Sequence, residues 1–388
     1  MKRALLTACL AAMIAAASQA ADFPKPLPID KVPNAVTLPA AYPTSWVVTN
    51  TVTGVEVIDT RAGDPGEVRG QIGEAPFLNL QVARTRPEVY LAETFYSRGT
   101  RGVRTDVVTV YDTTTLAPTG EIVLGGGLRY LSAPQPNTFQ LSGDETLGFV
   151  FGFTPAASVK VLDLASRKMV AEVPIPGCAL IYPTGPHGFS TLCANGALLS
   201  VRLDGSGKVV GQTETRPFND LADDPLFSQP AMVGEVGYFP SLKGSVQPID
   251  FSGPDAKLLA TWSLVSADEA KANWRPSGWQ LAAGGPGGRL YVIMQPNGAD
   301  GSHKRGGPEV WIFDVATHAK VGAIKLKTPA RSIAVTSEAE PRVVVAAVPP
   351  DNPLGLSLDS YDPRTGALLG SLPLDPSGGT PVIFPARG

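Results

Sequence analysis

The chain repeats one short pattern seven times: a run of alternating apolar residues ends in aspartate, and a polar turn follows. The runs are VEVID ending at Asp59, VTVYD at Asp112, VKVLD at Asp163, LSVRLD at Asp204, SVQPID at Asp250, VWIFD at Asp314 and LDSYD at Asp362. Successive aspartates stand 41 to 64 residues apart, and several copies continue with a similar tail, as in YDTTTLAPTGEIVL, FDVATHAKVGAIKL and YDPRTGALLGSLPL. Period-two alternation marks strands with one buried face, and a unit of this length holds about four of them. Four-stranded units cannot each bury a face alone. Closing radially, they cover one another and leave only short, protected edges. The pattern therefore predicts an all-β fold, a seven-bladed β-propeller of four-stranded antiparallel blades.

The aspartates also resemble a ring of acid catalysts or metal ligands. They recur at strand ends instead of converging, and an Asp side chain accepts hydrogen bonds from backbone amides just ahead of it, so they read as turn formers. The repeats run from about Val47 to Phe384 without a linker, which makes 46–388 one propeller domain. Residues 21–45, rich in Pro and Ala, read as an extended N-terminal arm. The 41 glycines and 37 prolines are spread through a chain that is 43% hydrophobic, a composition of many turns and a sizeable core.

Residues 1–20 read as a cleaved secretory signal. Lys2 and Arg3 precede an apolar run from Ala4 to Ala17, and Ser18-Gln19-Ala20 supplies small residues before the cut. Cys9 sits in LTAC, like a lipoprotein box, but too few apolar residues precede it for that chemistry. No later run approaches the ~18 apolar residues of a membrane helix. The net charge of −3 with no basic run argues against nucleic acid as a partner. Two cysteines remain in the mature chain, Cys178 and Cys193. In an oxidising compartment they read as one disulfide, joining the end of one strand to the start of a later one, with two buried thiols as the alternative.

The sequence holds few reactive constellations. His187, His303 and His318 sit in no zinc-binding spacing, and no CxxCH, nucleophile elbow or phosphate loop occurs. GGGL (125–128) and GGPGG (284–288) read as hairpin turns, because neither opens a helix. PNGADGSH (296–303) lacks the carboxylate spacing of a calcium loop and reads as a long connection. A metal-assisted hydrolase fails for want of ligands. A free-standing propeller that binds a ligand or protein through its loops stands as one functional reading.

A second reading comes from NWRPSGWQ (273–280), followed by a strand-like LYVIM and by His303-Lys304. With SRGTRGVRTDVVTVYD (97–112), the Cys178–Cys193 pair and its LCANGALL surroundings, DDPLF (223–227), DFSG (250–253) and WSLVSADEAKANW (262–274), it resembles the heavy chain of the quinoprotein amine dehydrogenases. The resemblance extends from about Val55 to the C-terminus. DDPLF, WSLVSADEAKANW and PNGADGSHK are similar to the aromatic amine branch, whereas WRPSGWQ is similar to the methylamine branch, which leaves the substrate open.

The resemblance implies a periplasmic enzyme of two heavy and two light chains that oxidises a primary amine to an aldehyde plus ammonia. The heavy chain would be its non-catalytic subunit, with no catalytic or cofactor-binding residue and no metal of its own. The tryptophan tryptophylquinone would sit on the separate, cysteine-rich light chain, and electrons would pass to a small blue-copper protein, amicyanin- or azurin-like. PFLN (76–79) is similar to a segment that places an aromatic side chain at the mouth of the family's substrate channel, which nominates Phe77 and Leu78 as channel lining. The other reading of Phe77 is an ordinary core residue. Trp274 and Arg275 are candidates for light-chain contact, against the reading that Trp274 and Trp279 bury into neighbouring blades as a rigid corner. In that corner Pro276 fixes φ, Gly278 allows a tight turn and Trp279 begins a strand.

Mass spectrometry of the exported protein is expected to give a chain that starts near Ala21. An intact Met1 or a lipid on Cys9 would contradict the signal reading.

Overall fold

All seven repeat aspartates form turns. Asp59 accepts from the backbone N–H of Arg61 (2.9 Å), Asp112 from Thr114 (3.0 Å), Asp163 from Ser166 (2.8 Å) and Asp204 from Ser206 (2.9 Å). Asp250 accepts from Ser252 (2.9 Å), Asp314 from Ala316 (3.0 Å) and Asp362 from Arg364 (2.8 Å). Each turn joins two antiparallel strands, so the repeat unit has a hairpin at its outer side. The side chain takes a hydrogen bond that the turning backbone would otherwise give to water.

This computed structural model describes residues 37–61, 66–73, 77–131 and 133–386. The expected signal over 1–20 and most of the arm expected over 21–45 lie outside the described residues. The last part of the arm is docked. Leu38 and Tyr42 are buried, the Tyr42 hydroxyl donates to the Thr113 carbonyl (2.9 Å), and the Leu38 amide donates to the Thr114 carbonyl (2.9 Å).

The strands form antiparallel blades of the propeller type. Among the described residues five sheets hold four or five strands each, and a further sheet holds eight. The expectation of seven separate blades is thus not met sheet for sheet, and the cause is local. Strand Lys320–Val335 is 16 residues long and pairs first with Gly307–Asp314, then with Val343–Ala347. Other crossings between sheets pass through turns such as Pro174-Ile-Pro-Gly177. Here only Pro329 interrupts the sequence, and its fixed φ suits an extended chain.

The first sheet is closed by the end of the chain. Trp46–Asn50 pairs on one side with Gly54–Asp59 and on the other with Val382–Pro385. The Gln280 side-chain amide reaches the same final strand: its nitrogen donates to the Ile383 carbonyl and its oxygen accepts from the Ile383 amide, both at 2.8 Å. That pair of bonds copies a strand pairing with a side chain.

The core lies between sheets. Leu147, Phe149 and Val161 of one sheet pack on Ile181, Phe189 and Val201 of the next, and Val47 and Ile58 of the closing sheet pack on Ala334, Val344 and Leu358. Within the eight-stranded sheet, Tyr291, Ile293 and Val310 pack on Ile333, Val343 and Tyr361. Burial of each large apolar side chain contributes about 1.5–3 kcal/mol. The α-helix Ala267–Lys271 spans only five residues. It is held by a capping box in which Ser266 Oγ accepts from the Glu269 amide (3.3 Å) and Glu269 accepts from the Ser266 amide (2.8 Å).

Cys178 and Cys193 form a disulfide. They stand directly opposite in the hairpin Cys178–Thr184 and Gly188–Cys193. The bond therefore joins the start of one strand to the end of the next, the reverse of the expected placement, because the two cysteines are at the open end of a hairpin.

A buried carboxylate ties two sheets together. Glu145, almost without exposed side-chain surface, accepts from the Arg84 amide (2.8 Å), Arg84 Nε (3.0 Å) and the Thr85 amide (3.0 Å). Burial alone would raise its pKa, but the bonds from Thr85 and Arg84 outweigh burial and hold it below the usual carboxylate range. Its stabilising contribution is complete above the ordinary Glu value and is lost as pH falls through the depressed one. Glu145→Ala, which takes the acceptor from two backbone amides while the half-exposed Arg84 can turn to water, should cost roughly 1–3 kcal/mol in urea unfolding at neutral pH. The gap from wild type should narrow in acid, and an equal gap at both pH values would contradict this role.

Candidate functional site

The connection between strands Glu67–Gly73 and Asn79–Val82 ends in Phe77 and Leu78. Phe77 stands in this connection with φ 61°, a left-handed conformation that L-residues avoid at a cost of about 1–2 kcal/mol. The residue is 40% exposed, so the core reading of Phe77 fails. Leu78 beside it is fully buried among Val48, Leu80 and Val89. The expectation that Leu78 lines a channel is therefore corrected: its side chain plugs the interface between two sheets and anchors the turn from below.

The backbone of Phe77 is gripped at both ends. Its N–H donates to the Val52 carbonyl (2.9 Å), and its carbonyl accepts from Arg129 Nη2 (2.8 Å). Asn50 Nδ2 adds a longer contact to the Leu78 carbonyl (3.4 Å). A hydrogen bond from a charged donor contributes about 1.5–3 kcal/mol, enough to outweigh the left-handed strain.

Arg129 sits in strand Leu128–Arg129 and its side chain is 1% exposed. Its Nε donates to Thr94 Oγ1 (2.7 Å), and its backbone N–H donates to Asp106 Oδ2 (3.0 Å). Thr94 in turn donates to Asp106 Oδ1 (2.6 Å). Arg104 grips the same carboxylate with Nε (2.9 Å) and Nη2 (3.0 Å), and Nη2 also reaches the Arg129 carbonyl (2.8 Å). Burial pushes the Arg129 guanidinium down to about 10, so it stays charged at neutral pH. For Asp106, burial pulls upward, but the bonds from Arg104, Thr94 and the Arg129 amide hold the carboxyl below its usual range. Glu93 is raised, mainly by burial, and the Tyr111 hydroxyl beside it is pushed up to about 12 by burial.

Around this polar plug several apolar side chains are exposed, interleaved with exposed Arg98 and Arg101. Phe95 and Val103 are exposed on the long hairpin Glu88–Asp112, Leu128 is exposed next to Arg129, and exposed Phe153 packs edge-on against Tyr130 at 5.4 Å.

NWRPSGWQ divides between two neighbourhoods. Trp274 is half-buried with its ring 4.8 Å from that of Trp311. Arg275 is partly buried and faces Asp300 at 3.8 Å. Gly278 has φ 140°, and a Cβ there would meet the Arg331 carbonyl at 2.6 Å. Trp279 lies in a bend, not at a strand start, because its amide is already taken by the Arg331 carbonyl; the next strand is Ala282–Gly285. Its indole N–H donates to the Pro134 carbonyl (2.8 Å), and 41% of the residue is exposed. Trp279, not Trp274, is thus the more exposed of the two.

Sequence reasoning missed Arg129 and its partners Thr94 and Asp106. The signal was there: an arginine between Leu128 and Tyr130 in a chain with only 17% charged residues. Among the described residues no group of three or more His, Cys, Asp or Glu gathers as a metal site.

Fold and site together define a β-propeller that presents a clamped aromatic with exposed apolar side chains nearby. More narrowly, the chain belongs to the methylamine dehydrogenase heavy chain family, whose sequence model, described as methylamine dehydrogenase heavy chain (MADH), matches residues 41–370. It is 28% identical over 312 residues to the methylamine dehydrogenase heavy chain of Methylorubrum extorquens, covering 80% of this chain and 74% of that one. It is also 28% identical over 315 residues to the heavy chain of Paracoccus versutus, covering 80% and 71%. Among solved structures, the Pseudomonas aeruginosa periplasmic gluconolactonase PpgL aligns with TM-score 0.56 at 17% identity, covering 87% of this chain and 98% of that one. The dihydro-heme d1 dehydrogenase NirN aligns with TM-score 0.52 at 15% identity, covering 93% and 79%. These two likenesses concern the fold alone.

Phe77→Gly removes the left-handed penalty together with a half-exposed ring. Its unfolding free energy is expected within about 1 kcal/mol of wild type, against the ~3–5 kcal/mol lost when a core Phe is truncated. A loss on the core scale would mean that the ring is packed and not displayed.

Proposed function

We propose that this chain is the heavy subunit of a periplasmic amine dehydrogenase and acts without catalytic groups of its own. The complex would contain two heavy and two light chains. It would convert a primary amine and water to an aldehyde and ammonia, releasing two protons and passing two electrons to a blue-copper protein. The observation that carries this reading is the family match over residues 41–370, with relatives named as heavy chains. The seven Asp-closed hairpins support a ring of seven blades, two of them joined through the long strand Lys320–Val335.

The tryptophan tryptophylquinone belongs on the light chain in this reading. Trp274 and Trp279 do not fit as its precursors, since Trp274 packs on Trp311 while the Trp279 indole is bonded to Pro134. When present on the partner, the quinone supplies the electrophilic carbonyl and accepts the electrons. This chain would supply enclosure. Phe77, held rigid and partly exposed, would narrow the approach of the amine, and the apolar side chains nearby would exclude water at the joint between the chains.

Purification from the native host tests the assignment. A small, cysteine-rich chain with a quinone absorbance should co-elute, and the heavy chain expressed alone should be colourless and reduce no dye with amine. A colourless monomer from the native host would favour the free-standing binding propeller. Amine oxidation by the pure heavy chain would overturn the division of labour.

A further inference from the structure

We infer that Arg129 is the positioning residue that sets the aperture at Phe77, acting through the Phe77 carbonyl and not by touching substrate. The inference rests on the reading that Phe77 stands at the amine's approach. It starts from an unusual combination: a bulky residue in a left-handed backbone whose carbonyl is bound by a buried guanidinium from a different sheet.

Phe77 has three restraints. Val52 fixes its amide, the Leu78 side chain is locked in the core, and Arg129 fixes its carbonyl. The first two hold the residue on either side, and Asn50 Nδ2 reaches only the Leu78 carbonyl, at 3.4 Å. Arg129 is the one of these partners that holds the Phe77 carbonyl itself, and it opposes a concerted change of φ and ψ toward the ordinary negative-φ basins, which would swing the ring to a new direction.

Arg129 is itself made rigid. Thr94 holds Nε, Asp106 takes the backbone N–H, and Arg104 holds both Asp106 and the Arg129 carbonyl. The planar fork then presents Nη2 to Phe77 in one direction, which a lysine ammonium cannot reproduce. Stability alone does not account for this arrangement. A buried ion cluster is often matched or exceeded by apolar residues of the same volume, whereas a fixed donor at a strained carbonyl is not.

The test uses the assembled heavy–light complex with the variants Arg129→Met, Arg129→Lys, Phe77→Ala and the Met/Ala double variant. The ratio of kcat/KM for a small and a bulky primary amine is measured, together with hydrogen exchange at the Phe77 and Leu78 amides. Arg129→Met should shift the ratio about ten- to two-hundred-fold, in the direction of Phe77→Ala, and the double variant should go no further than Phe77→Ala. Exchange at Phe77 should rise at least about tenfold while exchange in the strand Val343–Ala347 stays as in wild type. Arg129→Lys should fall between wild type and Met, and it carries the test if the Met variant does not fold.

If Phe77→Ala shifts the ratio and an assembled Arg129 variant does not, the positioning role is overturned. If Phe77→Ala leaves the ratio unchanged, the reading of Phe77 at the amine's approach falls. Exchange at Phe77 then still decides whether Arg129 fixes the loop, and unchanged exchange would overturn that as well.

Discussion

The structure depends on a pairing between its two distant ends. Val382–Pro385 completes the sheet begun by Trp46–Asn50, and Gln280 grips the Ile383 backbone from a third direction. Without that pairing the first sheet has an open edge, and the faces of its neighbours are covered on one side only. Every sheet in the ring buries its apolar side chains against the next, so closure determines whether the inter-sheet core is continuous.

Against this apolar plan, the polar cluster around Arg129 is the exception. Most contacts between sheets are between aliphatic and aromatic side chains, which tolerate small shifts. Arg129, Asp106, Thr94 and Arg104 instead make directional bonds, which tolerate few. Glu145 does the same between the turns of two sheets, by taking two consecutive backbone amides. Directionality is placed where a loop must hold one shape, at Phe77 and at Arg84-Thr85. Packing suffices elsewhere.

Much of the fold was legible in the sequence, for a physical reason. Alternating strands followed by an aspartate turn are local features, and VKVLD or VWIFD carries its own strand, its buried face and its turn within a few residues. The joining of two units through Lys320–Val335 was not legible, because it depends on the absence of a turn where other crossings have one. The site was less legible still. Phe77 was nominated through a family resemblance, but its left-handed backbone and its exposure follow from Val52 and Arg129, which are 25 and 52 residues away in sequence. Leu78 was assigned to the channel beside it, yet successive residues at a turn face opposite ways. Trp274 and Trp279 drew attention by rarity, while the arginine that organises the loop stood unremarked in GGGLRY.

Closure by the final strand also has a kinetic consequence. During synthesis the edge of Trp46–Asn50 waits unpaired while more than three hundred residues are added, since its partner Val382–Pro385 lies that far along the chain. Earlier sheets can form as hairpins, but the ring cannot shut, and its apolar faces stay accessible until Val382–Pro385 has been made. A growing chain of this kind remains threadable and also sticky. Through that time it needs shielding from other chains.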